Sequence, residues 1–495
     1  MIQNQETTTT NSYYQERFRP HIHFTPEKMW MNDPNGLVYY KGEYHLFYQY
    51  HPDSKKWGPM HWGHAVSKDL FTWEHLPIAL YPDELGMVFS GSVVVDWNDT
   101  TSFFDGKEGL VAIFTHADGD LQRQSIAYSK DQGRSWEKYA GNPVIKNPGI
   151  QDFRDPKVIW HEETAKWVMV LAAGRKVQFY TSPDLKQWTY VSEFGEGWGA
   201  REGVWECPDI FPLINEKTGE KKWVLPIGID AGGPAGGSGT QYFIGSFDGK
   251  TFTPEQSKQE VRWLDYGKDF YASQSFSDVP GGRRVVIAWM SNWQYANEVP
   301  TDPWRSAMSL PRELNLTTVD GEECVIQKPV HELESLRKSR PASETFTVNN
   351  SDKVTKRQPV LPFVIDMKVV AGTSQRLEGR VFVTGDDPGF LFGIDFSKDV
   401  LYVRRGYTEE GFSKHYNGTF EAPLRKGRSD YQLTVICDHS SVEIFTDDGK
   451  VALTNLHLPS EAISYEIVME AVGGTADVSD YKVSELSPRW QQANR

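Results

Sequence analysis

Short runs of apolar, β-branched and aromatic residues recur along the first two-thirds of the chain, each bounded by Gly, Pro, Asp or Asn. Such bounded runs predict β-strands. We place these strands at 36–40, 44–50, 93–95, 111–115, 158–160, 167–172, 223–227 and 285–290. No segment sustains the 3.6-residue apolar period of an amphipathic helix. The pattern therefore predicts an all-β protein.

A polar Ser-x-Asp turn, followed by an aromatic residue, repeats between these runs. The four copies are Ser67, Asp69 and Trp73; Ser129, Asp131 and Trp136; Ser182, Asp184 and Trp188; and Ser246, Asp248 and Phe252. The aromatic residues are 63, 52 and 64 residues apart. A period of roughly 50–60 residues with about four strands per unit is typical of a β-propeller. Since 265–314 supplies strands for a fifth unit, we predict a five-bladed β-propeller over 18–335; the alternative is a β-rich domain with accidental turns.

The pattern changes to a polar, charged stretch over 328–347, which indicates a linker or a short helix. Alternating strands follow at 363–370, 380–383, 390–396, 400–404, 431–437, 441–446 and 465–470. They predict a C-terminal β-sandwich over 345–495. We expect this domain to buttress the propeller. The chain beyond Tyr481 is either an ordered strand or a frayed end.

Composition narrows the classes of partner. The chain has 495 residues, 39% of them hydrophobic, and a net charge of −15 without a basic stripe. This charge disfavours nucleic acid and anionic membranes, and favours a neutral or cationic substrate. The longest apolar stretches are too short to span a bilayer. The three cysteines, Cys207, Cys324 and Cys437, are too far apart in sequence to indicate a disulfide framework or a zinc cluster.

Three carboxylates stand in three turn-like motifs. Asp33 lies in Trp-Met-Asn-Asp-Pro-Asn-Gly, Asp155 in Phe-Arg-Asp-Pro and Glu206 in Trp-Glu-Cys-Pro-Asp. Each precedes the aromatic residue of its repeat by 33–46 residues, and so does Ser90 in the second repeat. If the aromatic residues lie on outer strands, these four residues fall at the innermost strands, whose ends converge on the propeller axis. The sequence therefore predicts that all four line one funnel.

Carboxyl groups that converge on one pocket are typical catalytic groups of a glycosidase. Cleavage of a glycosidic bond passes through an oxocarbenium-like state, which needs one carboxylate to attack or stabilise and one acid to protonate the departing oxygen. This chemistry needs no cofactor and no metal, and we predict none of either. His61 and His64 are the nearest approach to a metal pair, but no acidic or cysteine partner is close to them in sequence.

Further motifs make the chain resemble glycoside hydrolase family 32, especially its bacterial levanases and exo-inulinases. Besides the three acidic motifs, the resemblance is carried in order by Phe47-Tyr-Gln-Tyr50, Trp57-Gly-Pro-Met-His-Trp-Gly-His64, Phe89-Ser-Gly-Ser92 and Val442-Glu-Ile-Phe445. It extends from about residue 18 to the end. The resemblance implies a five-bladed propeller joined to a sandwich, acting on fructan or sucrose.

The resemblance also implies roles for individual residues. Asp33 would be the nucleophile of a retaining double displacement at the anomeric carbon of fructose, and Glu206 the general acid and then the general base. Asp155 would bind two fructose hydroxyls, and Arg154 would orient the acids. The positions that would contact the fructosyl unit are Asn32, Gln49, Trp57 and Ser90, with Trp293 as a stacking surface beyond it.

Other readings stay open at this point. They are an invertase-type β-fructofuranosidase or a fructosyltransferase, an inverting arabinanase-like propeller, and a carbohydrate-binding propeller without turnover. The sequence decides neither the preferred substrate nor the oligomeric state. Residues 1–16 are polar and lack the charged and apolar regions of a signal peptide. A mature secreted protein would look the same, so we expect an extracellular location and leave the cytoplasm open.

Overall fold

The computed structural model describes residues 13–350, 352–406 and 412–489. Within these ranges the protein is built from β-strands, and its helical elements are single 3₁₀ turns or slightly longer. The 3₁₀ helices are Glu162–Thr164, Pro280–Gly282, Ala296–Glu298, His331–Leu336 and Asp447–Gly449. The predicted all-β class is confirmed. Of residues 1–16, which lack the pattern of a signal peptide, residues 1–12 lie outside the described ranges.

Strands between residues 29 and 329 fall into five sheets in chain order. The first contains β1 Met29–Tyr40, β2 Glu43–His51, β3 His61–Ser67 and β4 Trp73–Leu80. The second contains β5 Met87–Asp96, β6 Gly109–Asp118, β7 Leu121–Ser129 and β8 Glu137–Lys138. The third contains β9 Phe153–His161, β10 Lys166–Ala173, β11 Val177–Ser182 and β12 Thr189–Phe194. Within each sheet, consecutive strands pair in an antiparallel manner.

The last two sheets of this region follow the same plan with more strands. The fourth contains β13 Trp205–Glu206, β14 Phe211–Ile214, β15 Lys221–Ile229, β16 Gly239–Phe247, β17 Phe252–Pro254 and β18 Arg262–Trp263. The fifth contains β19 Tyr271–Ser275, β20 Arg284–Met290, β22 Ala307–Met308, β23 Arg312–Val319 and β24 Glu322–Pro329. The short strand β21, Trp304–Arg305, pairs with β1 instead. The segment that holds β21 and β22 therefore joins the fifth sheet to the first.

The repeated turn has the same internal hydrogen bonds in successive sheets. In the first sheet, Asp69 Oδ1 accepts the N–H of Phe71 at 2.9 Å, and Trp73 Nε1 donates to the carbonyl of Leu70 at 3.0 Å. The indole closes the turn in the same way in the second and third sheets. The aromatic residues start or directly precede β4, β8, β12 and β17, which are outer strands. Among the inner strands, β1 contacts β5 and β19, and β5 contacts β9.

Apolar cores lie between neighbouring sheets. Val38, Phe47 and Val93 belong to the core between the first and second sheets, and Val94 and Leu171 to the core between the second and third. Each sheet thus buries both faces, which a run of alternating polar and apolar residues would not permit. This explains the continuous apolar runs in the sequence.

The C-terminal region contains two six-stranded sheets around one apolar core. The first sheet contains β25 Glu344–Asn349, β27 Phe363–Val370, β32 Asp430–Asp438, β33 Ser441–Thr446, β34 Val451–Leu456 and β36 Thr475–Glu485. The second contains β26 Val354–Arg357, β28 Arg376–Val383, β29 Phe390–Asp395, β30 Val400–Arg405, β31 Gly418–Pro423 and β35 Glu466–Val472. The polar stretch before them holds a 3₁₀ helix, and β36 continues past Tyr481 as an ordered strand.

A buried charged cluster joins the two regions. His23, which precedes β1, lies between Asp438 and Glu443 of the C-terminal region, with its ring nitrogens 2.8 and 2.9 Å from their carboxylates. The second oxygen of Glu443 accepts a hydrogen bond from Arg312 Nη2 at 2.6 Å. Arg312 Nη1 also donates to Asp265 at 2.8 Å.

No helix within the described ranges is long and apolar enough to cross a membrane.

Candidate active site

A pocket of about 280 Å³ opens at the starting ends of the inner strands. Its lining consists of Asn32, Asp33, Gln49, Trp57, Phe89, Ser90, Arg154, Asp155, Glu206 and Trp293. All nine residues that were singled out from the sequence are among them. The tenth lining residue, Phe89, directly precedes Ser90 in the Phe89-Ser-Gly-Ser92 motif but was not predicted as a site residue. The distant acidic motifs therefore meet at one place.

A β-bulge recurs beside the pocket in four inner strands. In each case two consecutive residues of the inner strand oppose one residue of its neighbour. The pairs are Asn32 and Asp33 opposite Gln49, Phe89 and Ser90 opposite Thr115, Asp155 and Pro156 opposite Leu171, and Ala272 and Ser273 opposite Ala288. A bulge interrupts the ladder and redirects a side chain. This shared irregularity positions Asp33, Ser90 and Asp155 in the pocket.

Asp33 is held by three donors: one from its own strand β1, one from β5 and one from the residue that directly follows β13. Ser90 Oγ donates to its Oδ2 at 2.7 Å, and Asn32 Nδ2 donates to its Oδ1 at 3.0 Å. The thiol of Cys207 donates to Oδ2 at 3.3 Å. Asn32 is fixed in turn because its Oδ1 accepts the indole N–H of Trp30 at 2.8 Å. The carboxylate is thus oriented by hydrogen bonds and is nearly inaccessible to water outside the pocket.

Asp155 adopts a left-handed backbone conformation, with φ of 64°. Its N–H donates to Thr115 Oγ at 3.1 Å, and its Oδ2 accepts the N–H of Cys207 at 2.9 Å. The same oxygen lies 3.5 Å from Cys207 Sγ. A non-glycine residue with positive φ costs free energy, and such residues cluster at functional sites. Because Cys207 contacts both Asp33 and Asp155, it connects the two acids, although its thiol received no role in the sequence analysis.

Glu206 is bound through both carboxylate oxygens. Oε1 accepts Arg154 Nε at 3.1 Å and Nη2 at 2.9 Å, while Oε2 accepts the hydroxyl of Tyr271. Arg154 is itself fixed by Asp152, whose Oδ1 accepts Nη1 at 2.7 Å. Tyr271, at the start of β19, was not predicted as a site residue. The fifth sheet lacks the Ser-x-Asp turn, so no repeat position marked it.

Proximity and burial change the protonation behaviour of the acids. Burial raises the pKa of Asp33, and the charge of Glu206 raises it further. Burial also raises the pKa of Asp155 to about 7, although the neighbouring Arg154 opposes this effect. Burial raises the pKa of the Cys207 thiol well above its usual value, so the thiol remains a hydrogen-bond donor. Three largely buried carboxyl groups and one guanidinium favour a reacting group that becomes positively charged.

Aromatic rings form the rim and the floor. Trp57 is 42% exposed and meets Phe89 edge-on, with their ring centroids 6.2 Å apart. Trp293 stacks on the buried Trp30 at 6.1 Å and packs on Trp289 at 4.8 Å. Trp293 is thus supported from below and half-buried, as a stacking surface would be.

His61 and His64 make separate contacts. His64 is buried, with its Nε2 3.1 Å from Nδ1 of His45, whereas Nδ1 of His61 lies 3.0 Å from the carbonyl of Pro59. Burial lowers the pKa of His64 well below its usual value. In the described ranges, no three His, Cys, Asp or Glu side chains are grouped so as to hold a metal ion.

Comparisons with known proteins cover both regions of the chain. The models of the N-terminal and C-terminal domains of glycosyl hydrolases family 32 match residues 23–329 and 332–485. The levanase of Bacillus subtilis (strain 168) is 50% identical over 489 residues, which are 97% of this chain and 72% of that protein. The extracellular exo-inulinase of Aspergillus awamori is 39% identical over 508 residues, or 94% of each chain.

Solved structures agree with the sequence comparisons. The crystal structure of exo-inulinase from Aspergillus awamori has a TM-score of 0.90 and 37% identity, covering 96% of this chain and 100% of that chain. The β-fructofuranosidase from Schwanniomyces occidentalis, complexed with fructosyl-erythritol, has a TM-score of 0.83 and 33% identity, covering 96% and 99%. With both domain models matched and relatives of this identity aligned over nearly its whole length, the chain belongs to glycosyl hydrolase family 32.

Proposed function

We propose that the protein is a retaining glycoside hydrolase that releases terminal fructose from the β-fructans levan and inulin, and from sucrose. The observation that carries the proposal is the meeting of Asp33, Asp155 and Glu206 in one pocket. The relatives named levanase and exo-inulinase support fructans as substrates.

The shape of the pocket favours action at a chain end. Behind Phe89 and Trp293 of its lining, a cluster of buried side chains that includes Trp30, Tyr271 and Trp289 closes the pocket. A closed floor admits the end of a fructan chain but offers no groove for an internal segment to pass through. We therefore infer that the enzyme removes single fructose units.

In the first step, Asp33 attacks the anomeric carbon of the terminal fructosyl unit. The bond to the glycosidic oxygen breaks, and Glu206 gives its proton to that oxygen as the shortened chain departs. The fructosyl unit is then bound to Asp33 as an ester. The hydrogen bonds from Ser90 and Asn32 hold the attacking carboxylate in place before the reaction, which lowers the entropic cost of reaching the transition state.

In the second step, Glu206 removes a proton from a water molecule, and the water oxygen attacks the anomeric carbon. The ester bond to Asp33 breaks, fructose leaves, and Glu206 regains its proton. Two inversions give net retention. Because Arg154 and Tyr271 bind both oxygens of Glu206 in the free pocket, its carboxyl group is positioned relative to Asp33 throughout the cycle.

Asp155 would bind the fructosyl unit through two hydroxyl groups. Its Oδ2 already accepts the N–H of Cys207, so the carboxyl group is fixed before the sugar arrives. Gln49, Trp57 and Trp293 would complete the contacts with the sugar.

The finer organisation follows from this assignment. We infer that the five sheets are the blades of one propeller, that the catalytic domain spans 18–335, and that the sandwich spans 345–495. Since the exo-inulinase relatives are named extracellular, we also propose that the protein acts outside the cell. Detection of activity in the culture medium of the source organism would test the location.

The decisive experiment measures fructose release from levan, inulin and sucrose. Glu206→Gln should lower kcat by about 10²–10⁴-fold, the range typical of loss of one acid–base group, and Asp33→Asn, which removes the nucleophile, should lower it at least as much. Glu421→Gln, an exposed carboxyl of the sandwich, should leave kcat unchanged. Unaltered release by either pocket variant would overturn the proposal. Release of fructo-oligosaccharides as first products would overturn the inference of chain-end cleavage.

A further inference from the structure

A second cavity, of about 400 Å³, lies at the other end of the inner strands. In β5, Ser90 lines the catalytic pocket whereas Asp96 lines this second cavity. In β9, Asp155 lines the catalytic pocket and Trp160 lines the second cavity. We call the second space the rear cavity. Its volume lies within the roughly 300–1,000 Å³ of small-molecule sites, and it exceeds that of the catalytic pocket.

Buried polar groups separate the two spaces. Lys157, between Asp155 and Trp160 in β9, donates from Nζ to the carbonyl of Ser275 at 2.7 Å. The same Nζ lies 3.3 Å from Asp209. These bonds cross the middle of the inner strands. A ligand in the rear cavity therefore does not reach the catalytic acids, and the rear cavity is suited to binding rather than to cleavage.

Three indole rings line the cavity, and those of Trp97 and Trp160 are the more accessible ones. Trp97 is 55% exposed, although most large apolar side chains of the described residues are buried. Its Nε1 donates to Asp278 Oδ1 at 3.0 Å, and its ring packs against Tyr40 at 6.0 Å. Trp160 is half-buried and meets Trp167 edge-on at 5.1 Å. Both rings are held in place by neighbours, so they offer rigid aromatic faces to a ligand.

Polar groups surround these rings. Asp278 and Glu162 present exposed carboxylates, and Arg284 presents a half-buried guanidinium. Nη1 of Arg284 donates to Ser275 Oγ at 3.2 Å, but its buried Nε has no hydrogen-bond partner among the described residues. A buried donor without a partner is uncommon in proteins.

The charges define the chemical class of the ligand. The three acidic side chains of the lining, Asp96, Glu162 and Asp278, outnumber its one guanidinium and disfavour an anion. Exposed aromatic faces suit a ligand with apolar C–H surfaces, while carboxylates accept hydroxyl protons and the guanidinium donates to ring or hydroxyl oxygens. A neutral sugar unit combines these features.

We propose that the rear cavity binds a sugar unit of a fructan chain and anchors the enzyme on its polymeric substrate. The choice of fructan rests on the function proposed above. A second attachment raises the effective concentration of chain ends at the catalytic pocket without adding any contact there. Short substrates cannot use this advantage.

The test compares Trp97→Ala and Trp160→Ala with the matched control Tyr190→Ala, which removes a 48% exposed ring from the outer strand of the third sheet. KM for high-mass levan should rise about 2- to 10-fold in the rear-cavity variants, the size expected for loss of one aromatic contact. KM for sucrose and kcat on both substrates should stay unchanged. Tyr190→Ala should match the unmutated enzyme.

Binding is measured separately by electrophoresis in gels that contain levan, with every protein carrying Asp33→Asn to prevent digestion. Levan should retard Asp33→Asn strongly, and Trp97→Ala should reduce this retardation. If a tryptophan variant does not fold, as judged by circular dichroism, Asp278→Ala provides the same test by removing a surface carboxylate.

The failures of the two proposals differ. Unchanged levan KM and unchanged retardation in the rear-cavity variants would overturn the anchoring site while fructose release continued. A change in sedimenting mass without a change in retardation would also overturn it, in favour of contact between two copies. Absence of fructose release from all substrates would instead refute the catalytic function.

Discussion

Replacement of His23 by glutamine removes the fully buried histidine of the charged cluster that joins the N-terminal sheets to the C-terminal region. Asp438 and Glu443 accept hydrogen bonds from the two ring nitrogens at 2.8 and 2.9 Å. Both contacts are inaccessible to water. Glutamine retains some hydrogen-bonding capacity but carries no charge, so Glu443 would keep the Arg312 guanidinium as its cationic partner, while Asp438 would keep the ring of His439, whose Nδ1 lies 3.1 Å away.

The expected size follows from the pKa of His23. Burial acts to lower it, but the hydrogen bonds and charges of Asp438 and Glu443 outweigh burial and raise the pKa from 6.5 to about 9. At about 1.4 kcal/mol per pH unit, this difference corresponds to about 3 kcal/mol of folding free energy. Since the charged form is favoured in the folded protein, the stabilisation is complete below pH 6.5. It is lost as the pH rises through 9.

Urea denaturation followed by tryptophan fluorescence measures the effect, with each transition of this two-domain protein analysed separately. The free energy of unfolding of His23→Gln should lie about 3 kcal/mol below that of the unmutated protein at pH 6. The gap should nearly close by pH 10. His331→Gln, whose side chain is 74% exposed, is the control and should change little. A gap that is independent of pH, or no gap at pH 6, would refute the reasoning.

Three further predictions concern the catalytic pocket. Tyr271→Phe removes a hydroxyl that donates to Glu206. The kcat on sucrose should therefore fall about 10- to 100-fold, with little change in KM. Equal losses in kcat and in substrate binding would contradict a positioning role for Tyr271. Cys207→Ala removes a donor that lowers the pKa of Asp33, so the acidic limb of the kcat/KM profile should move to higher pH, whereas Cys207→Ser should restore it. Asp155→Asn should lower kcat/KM. It should also raise Tm at pH 7.5 but not at pH 4, because the folded protein favours the neutral acid up to a pKa of about 7; equal Tm changes at both pH values would oppose this.

The sequence was most informative where a local pattern repeated. The Ser-x-Asp turns identified the outer strands, and the positions of Asp33, Asp155 and Glu206 upstream of them placed these acids at the inner strands. The predicted strand at 93–95 is observed as Met87–Asp96. Its beginning was missed because Ser90, Gly91 and Ser92 interrupt the apolar run.

Long-range and irregular features could not be read from the sequence. Tyr271 contacts Glu206 from a sheet without the repeated turn, so no spacing argument reached it. Cys207 stood beside a recognised acid, yet only the folded backbone brings its thiol to Asp33. His23 meets Asp438 across 415 positions of the chain, and no local periodicity encodes such a pair.

The stereochemistry of transfer tests the roles of Asp33 and Glu206 most directly. Levan is cleaved in the presence of methanol, and NMR identifies the methyl fructofuranoside that forms. Attack by Asp33 followed by attack of methanol activated by Glu206 predicts the β-anomer, with the configuration of the substrate retained. The α-anomer would show a single displacement and would contradict the account.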